Sequence, residues 1–281
     1  RNPMKNELEP LAFENLEAVF SPGNQSIKYI KSLHNKKYRD LHQCFLVEGQ
    51  KMVSEAMSSN FGIEMLVFSE SYTGTLQNRE EVLQGTRYLK VTEQIFKSLS
   101  DTQSPQGVLA VVKPKDWSYQ QIIELPKGFL IILDGIKDPG NLGTIVRTVD
   151  AAGGDGVILI NECVDPYNPK AVRATMGSVF RVPIFQVNDT EALLKESLVK
   201  TNWHIAASGL QGDDVFIWHA DYPKIALVMG SESHGVSQQV MDMSHSVVQI
   251  PMAGDAESLN ASVAAGILTY EIFRKRRNMD N

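Results

Sequence analysis

Two cysteines in 281 residues, Cys44 and Cys163, leave no room for a disulfide framework, and neither has partners at metal-ligand spacing. The expectation is a reduced, cytoplasmic setting without a metal. Long apolar runs are also missing. Stretches such as 129–133 and 157–160 are far too short to span a bilayer, so no membrane partner is expected. No charged-then-apolar leader is expected at the start, where Arg1-Asn2-Pro3 ahead of Met4 reads as a vector remnant. Positive charge is not in excess either. A net charge of −6 disfavours indiscriminate coating of nucleic acid, although phosphates respond only to the local face. Repeats and low-complexity tracts are absent.

What is present is an ordinary globular composition, 43% hydrophobic and 21% charged, long enough for two domains. Charge is unevenly spread. Between positions 21 and 60, Lys28, Lys31, Lys36, Lys37, Arg39 and Lys51 outnumber Asp40, Glu48 and Glu55. The first twenty residues carry helix-like apolar spacing (Leu8, Leu11, Leu16, Val19) and stop at Ser21-Pro22-Gly23, which marks 1–20 as an accessory segment.

A helix is expected from Gln25, with Ile27, Ile30 and Leu33 inward. Short apolar strands then alternate with helices to about residue 112, which predicts a small α/β domain over 21–112. The Pro- and Lys-punctuated stretch 113–127 reads as a linker with one short helix. A second α/β domain is expected over 128–281. Its continuous apolar strands (FLIILDG, GVILI, VPIFQV, WHIAAS, KIALVMG, SVVQI) indicate a mostly parallel sheet covered on both faces.

Three constellations sit at predicted strand ends of this second domain, where open α/β sheets bind ligands. The first spans 133–154, LDGIKDPGNLGTIVRTVDAAGG. Leu142, Ile145, Val146 and Val149 give its helix a buried face, Asn141 is a reasonable N-cap, and Gly153-Gly154 ends it. Arg147 falls off the apolar stripe, about one and a half turns in, and can point over the strand ends. Taken alone, capping and surface pairing explain these two residues as well as function does. The loop offers Gly140-x-x-Gly143, not the Gly-x-Gly-x-x-Gly of dinucleotide-binding folds, which argues against a nicotinamide enzyme.

The second spans 225–237, IALVMGSESHGVS, where glycines flanking Glu232 would let a ligand approach backbone closely. An ordinary strand-to-helix turn remains the alternative. The third runs from 247, VVQIPMAGDAESLNASVAAGILTYEIFRKRR. Its loop reaches Ser258-Leu259-Asn260 before a helix rich in small residues (Ala261, Ser262, Ala264, Ala265, Gly266), suited to close backbone approach or a subunit interface. Ser258 and Asn260 could equally be caps.

Together and in this order, the three blocks resemble the signature motifs of the SpoU (TrmH) family of RNA ribose 2′-O-methyltransferases. The matching residues are Asn141 and Arg147, then Gly230 and Glu232, then Ile250-Pro251 with Ser258-Leu259-Asn260. The segment NQSIKYIKSLHNKKYRDLHQCFLVEG resembles the start of the family's N-terminal substrate-binding domain. The resemblance implies a parallel-sheet methyltransferase domain with a SPOUT-type deep trefoil knot, preceded by a ribosomal-protein-like α/β domain that binds RNA. It implies a homodimer and S-adenosylmethionine as cofactor, held by Met229, Gly230, Ile250, Ser258 and Leu259.

Arg147, Glu232, Asn141 and Asn260 are the catalytic candidates that follow from it. A guanidinium stays protonated near neutral pH and suits a phosphate better than a ribose proton. Glu232 is the more plausible proton acceptor, unless it orients Arg147 or the loops. RNA contacts are expected from Lys28, Lys36, Lys37, Arg39 and Arg173, with Arg274-Lys275-Arg276-Arg277 as further candidates. Ribosomal RNA is the expected substrate because of the extra N-terminal domain. The alternatives are tRNA and a non-catalytic RNA-binding assembly factor on the same scaffold.

Overall fold

A computed structural model describes residues 6–8, 16–78 and 85–279. The chain divides into two compact units. The first comprises Arg1–Asp116 with Tyr167–Phe180, the second Trp117–Pro166 with Arg181–Asn281. Among the described residues, no helix is long and apolar enough to cross a membrane.

The first unit is built on a five-stranded sheet in the order Leu16–Val19, Arg87–Val91, Gly62–Ser69, Val108–Lys113, Phe45–Glu48. The helix Gln25–Ser32 starts at Asn24, whose side chain accepts from the Ser26 N–H, and it buries Ile27 and Ile30 as its spacing predicts. Leu33, just past its end, is buried with them against Val67, Leu89 and Leu109. The segment Tyr167–Phe180 returns to this unit, where Tyr167 and Phe180 close on Phe45 with ring centroids 4.6 and 6.5 Å apart.

One expectation is overturned here. The apolar spacing in the first twenty residues is not helical where it is described. Leu16–Val19 is a strand parallel to Arg87–Val91, and Asn6–Leu8 pairs antiparallel with Leu76–Asn78. Four apolar residues in twelve positions carry little periodic information, and the unpaired backbone of the edge strand Arg87–Val91 decides the conformation instead. Leu11 lies outside the described residues.

The second unit carries a six-stranded, all-parallel sheet in the order Ile184–Gln186, Gly156–Ile160, Gly128–Asp134, Lys224–Gly230, His204–Asp214, Ser246–Gln249. The strands from Gly128 to Gln186 run outward one way, and the later ones lie on the other side of Gly128–Asp134. The topological switch therefore falls between Gly128–Asp134 and Lys224–Gly230, and a crevice is expected outside their carboxyl ends. Burial on both faces explains the unbroken apolar runs: every residue of Gly128–Asp134 is buried.

The short helix Tyr119–Ile123 precedes this sheet. The Ile123 carbonyl accepts from both Trp203 Nε1 and Lys224 Nζ at 2.9 Å, which ties the helix to the second unit.

Candidate active site

The carboxyl ends of Gly128–Asp134 and Lys224–Gly230 carry the first two sequence constellations side by side. Asp134 is the last residue of its strand and is buried, yet it is not isolated. Its Oδ1 accepts from Asn161 Nδ2 and its Oδ2 from the Ser237 N–H, both at 2.8 Å. One carboxylate thus pins two loops to the strand end. Sequence reasoning missed Asp134; the signal was a carboxylate closing an apolar run just before Gly135.

The helix Pro139–Ala151 begins three residues after Ile136. Its N-cap is Asp138, whose Oδ2 accepts from the Asn141 N–H at 2.7 Å, with Pro139 in the first turn. The expectation that Asn141 caps this helix is therefore corrected. Asp138 sits at the extended position that a cap requires, and Asn141 is already inside the helix. Its side chain is free for other work.

That work is to join the three constellations. Asn141 Nδ2 donates to Glu232 Oε1 at 3.3 Å, and Asn141 Oδ1 accepts from Asn260 Nδ2 at 3.1 Å. Glu232 Oε1 also accepts from the Ala261 N–H at 2.9 Å. Asn260 caps the helix Ala261–Met279 through its Oδ1, which takes the Ser262 and Val263 N–H groups at 2.9 and 3.3 Å. Capping and loop-tying are thus carried by the same side chain.

After Gly230 the chain makes a tight turn closed by Gly235 N–H to the Ser231 carbonyl at 2.8 Å. A Cβ on Gly230 would overlap the backbone of Gly235 and Val236, so only glycine fits. His234 lies exposed on this turn, its Nδ1 2.7 Å from Ser233 Oγ.

Beside the turn lies a cavity of about 380 Å³. Met229, Gly230, Ile250, Ser258 and Leu259 all line it, as do Glu232 and Ala261. The size lies within the range of roughly 300–1,000 Å³ usual for small-molecule sites. Ser208, Gly209 and Leu210 close another side, where the strand His204–Asp214 shifts register between Ser208 and Asp213. Nothing in the sequence pattern singled out this irregularity.

Arg147 is exposed on the helix Pro139–Ala151, with no ion pair or hydrogen bond to another described residue. It stands six residues beyond Asn141, about 9 Å along the helix. A guanidinium in this state is available to a group from outside the chain.

In the first unit the expected RNA-contacting cations separate. Lys28 is exposed, Lys36 Nζ pairs with Asp40 at 2.6 Å, and Lys37 Nζ stands 5.7 Å from the Tyr38 ring centroid. Arg173 pairs with Asp101 at 2.6 Å. Arg39 is corrected. It is only 5% exposed, and its Nη1 donates to the Leu33 and His34 carbonyls at 2.9 and 2.8 Å. Its charge is spent on the fold. In the C-terminal basic run, Arg274 pairs with Glu271, and Lys275 donates inward to the Val215 and Trp218 carbonyls.

Residues 128–270 match the model of the SpoU rRNA Methylase family, and residues 24–110 match the MRM3-like substrate binding domain. Among relatives, the chain is 32% identical to the 23S rRNA (guanosine(2553)-2′-O)-methyltransferase RlmP of Bacillus subtilis, covering 92% of this chain and 99% of that one. Among solved structures it resembles the AdoMet-bound rRNA methyltransferase from Sinorhizobium meliloti, with TM-score 0.82, 31% identity and coverage of 93% and 98%. It also resembles the SpoU methyltransferase AviRb from Streptomyces viridochromogenes in complex with AdoMet, with TM-score 0.78, 27% identity and coverage of 90% and 98%. A parallel α/β sheet with three joined loops at its carboxyl edge, matched over this length, defines a methylase fold. The chain belongs to the SpoU rRNA methylase family.

Proposed function

We propose that this protein transfers a methyl group from S-adenosylmethionine to a ribose 2′-hydroxyl of ribosomal RNA. The observation that carries this reading is the Asn141 bridge, which locks Glu232 and Asn260 together at the mouth of the 380 Å³ cavity. The names of RlmP and of the S. meliloti enzyme support ribosomal RNA over tRNA.

The cavity fits the cofactor by its chemistry. Met229, Ile250 and Leu259 offer apolar walls, and Gly230, whose missing side chain makes room for the Gly235–Val236 backbone, lets the turn fold tightly along the cavity edge. When bound, the cofactor supplies a methyl already activated by its sulfonium charge, so the protein's task is alignment.

Arg147 holds a phosphate beside the reacting ribose; a protonated guanidinium cannot accept the hydroxyl proton. Glu232 uses Oε1 to hold Asn141 and the Ala261 N–H. Its Oε2 has no partner among the described residues and is free to take the 2′-hydroxyl proton as the oxygen attacks. Asn141 and Asn260 position Glu232 and the third loop.

The same reading includes a homodimer, a trefoil knot in the second unit and a cytoplasmic setting. The dimer is supported by the helix Ala261–Met279, on which Val263 and Tyr270 are exposed on the face that also carries Gly266. The reducing setting is supported by two free thiols, Cys44 and Cys163.

The test is incubation with tritiated S-adenosylmethionine and either total rRNA or total tRNA, followed by mapping of the labelled nucleotide. Label at a single ribose 2′-oxygen in rRNA is the expected result. No incorporation into either pool, with no cofactor binding by calorimetry, would overturn the reading.

A further inference from the structure

The helix Lys36–His42 is fastened to the first unit by a polar anchor. Of its seven residues only Arg39 is buried, through the two carbonyl bonds to Leu33 and His34. Surface helices ordinarily turn their apolar stripe toward the core. Here Tyr38, Leu41 and His42 share one face at i, i+3, i+4 spacing and turn it to solvent. Leu41 is 68% exposed and Tyr38 38%. The His42 ring is steadied edge-on against Tyr29, with centroids 5.0 Å apart.

Most charges on this helix and the one before it are positive, with Glu64 reaching Tyr29 behind the His42 ring. Lys28 and Lys31 are exposed on the preceding helix, and Lys37 stands beside the Tyr38 ring. Between residues 25 and 43 the sole acidic residue is Asp40, and Lys36 already holds it. An aromatic and apolar surface rimmed by unneutralised lysines, on a chain of net charge −6, is complementary to nucleobases attached to phosphates.

We propose that the Tyr38–Leu41–His42 face is a stacking platform for unpaired nucleotides of the RNA, so that the protein selects a loop or single strand over a duplex. This rests on the reading of the protein as an RNA methyltransferase and specifies the substrate class it takes. A base must be unstacked to lie on an aromatic ring, and duplex RNA hides its faces. A seven-residue helix, about 10 Å long, is too short to supply the roughly 800 Å² per partner of a stable protein interface, whereas it matches two or three stacked nucleotides.

The experiment uses the full chain and fluorescence anisotropy with a labelled mixed-sequence RNA decamer, single-stranded or annealed to its complement. The single strand is expected to bind more tightly. Tyr38→Ala is expected to weaken single-strand binding about tenfold, the scale of one lost base stack, while Tyr38→Phe retains it. Lys37→Ala should flatten the salt dependence, and Tyr38→Ala should leave that slope intact. Single-strand binding of Tyr38→Ala equal to wild type, or an equal loss on the duplex, would overturn the platform. So would a concentration-dependent oligomer abolished by Leu41→Ser in sedimentation, which would make the face a protein interface. The two readings fail separately. Tyr38-dependent RNA binding without methyl transfer would sink the enzymatic reading alone, and transfer to rRNA with unchanged KM in Tyr38→Ala would sink the platform alone.

Discussion

Asn141 and Glu232, 91 positions apart, are joined by a 3.3 Å hydrogen bond from the amide of one to the carboxylate of the other. Because Asn141 also accepts from Asn260, one side chain on a helix's first turn reinforces the link between two loops that Glu232 makes directly to the Ala261 N–H. Asn141→Ala removes both bonds at a half-buried position, so global stability should change by only about 1 kcal/mol. The loops should loosen nonetheless. The expected outcome is a cofactor dissociation constant raised roughly tenfold by calorimetry, with a melting temperature close to wild type. A cofactor affinity equal to wild type would show that the loops hold their spacing without it.

Arg147 lines no part of the cavity and pairs with nothing among the described residues. Arg147→Ala is therefore expected to abolish methyl transfer and leave cofactor affinity unchanged. Arg147→Lys should restore only part of the rate, because a point charge replaces a planar fork. Equal loss of transfer and cofactor binding in the alanine variant would place Arg147 in the pocket or the fold.

Asp134 predicts the opposite pattern. Its carboxylate is buried and satisfies Asn161 and the Ser237 N–H. Asp134→Ala leaves both donors without a partner and should cost about 2–3 kcal/mol of stability in denaturant titrations. The cofactor affinity should fall with it, because Ser237 follows the Gly230–Gly235 turn. A stable variant with wild-type affinity would remove Asp134 from the positioning role.

Arg39 is expected to behave as a core residue despite its charge. Arg39→Met should lower stability by about 1–3 kcal/mol, since the Leu33 and His34 carbonyls lose their donor. The salt dependence of RNA binding should be unchanged, as it would not be for a phosphate contact. A flattened salt slope in this variant would return Arg39 to the RNA surface.

His204 gives the second unit a pH dependence. Its ring stacks on Tyr222 at 3.6 Å, its Nε2 lies 2.8 Å from Ser246 Oγ, and its pKa is lowered from 6.5 to about 4. Burial is the main cause and the neighbouring His245 charge the second. The unfolded chain binds the proton at higher pH than the folded one, so stability is complete above about pH 6.5 and falls as pH drops toward 4. Denaturant midpoints measured across this window should decline for wild type and decline less for His204→Phe. Parallel curves would show that His204 is not the titrating group.

Much of the second unit could be read directly from its apolar runs. Strands buried on both faces leave no polar alternation, and that signature survives without any tertiary information. The glycine at 230 stood out in the sequence as a place for a ligand to come close, whereas in the structure it is the Gly235–Val236 backbone that comes close there. The strand Leu16–Val19 was not legible, because its conformation comes from a neighbour's unpaired edge about seventy residues away.

The sequence by itself determined which residues stand at the strand ends, since local periodicity and turn chemistry place them there. Only the tertiary structure decided what each one does. Asn141 is a tie and Asp138 the cap, Asp134 is a hidden anchor, and Arg39 turns inward while Tyr38 and Leu41 face out. Hydrogen bonds between loops about a hundred residues apart, and the burial of one guanidinium over another, depend on distances in space that no local pattern encodes.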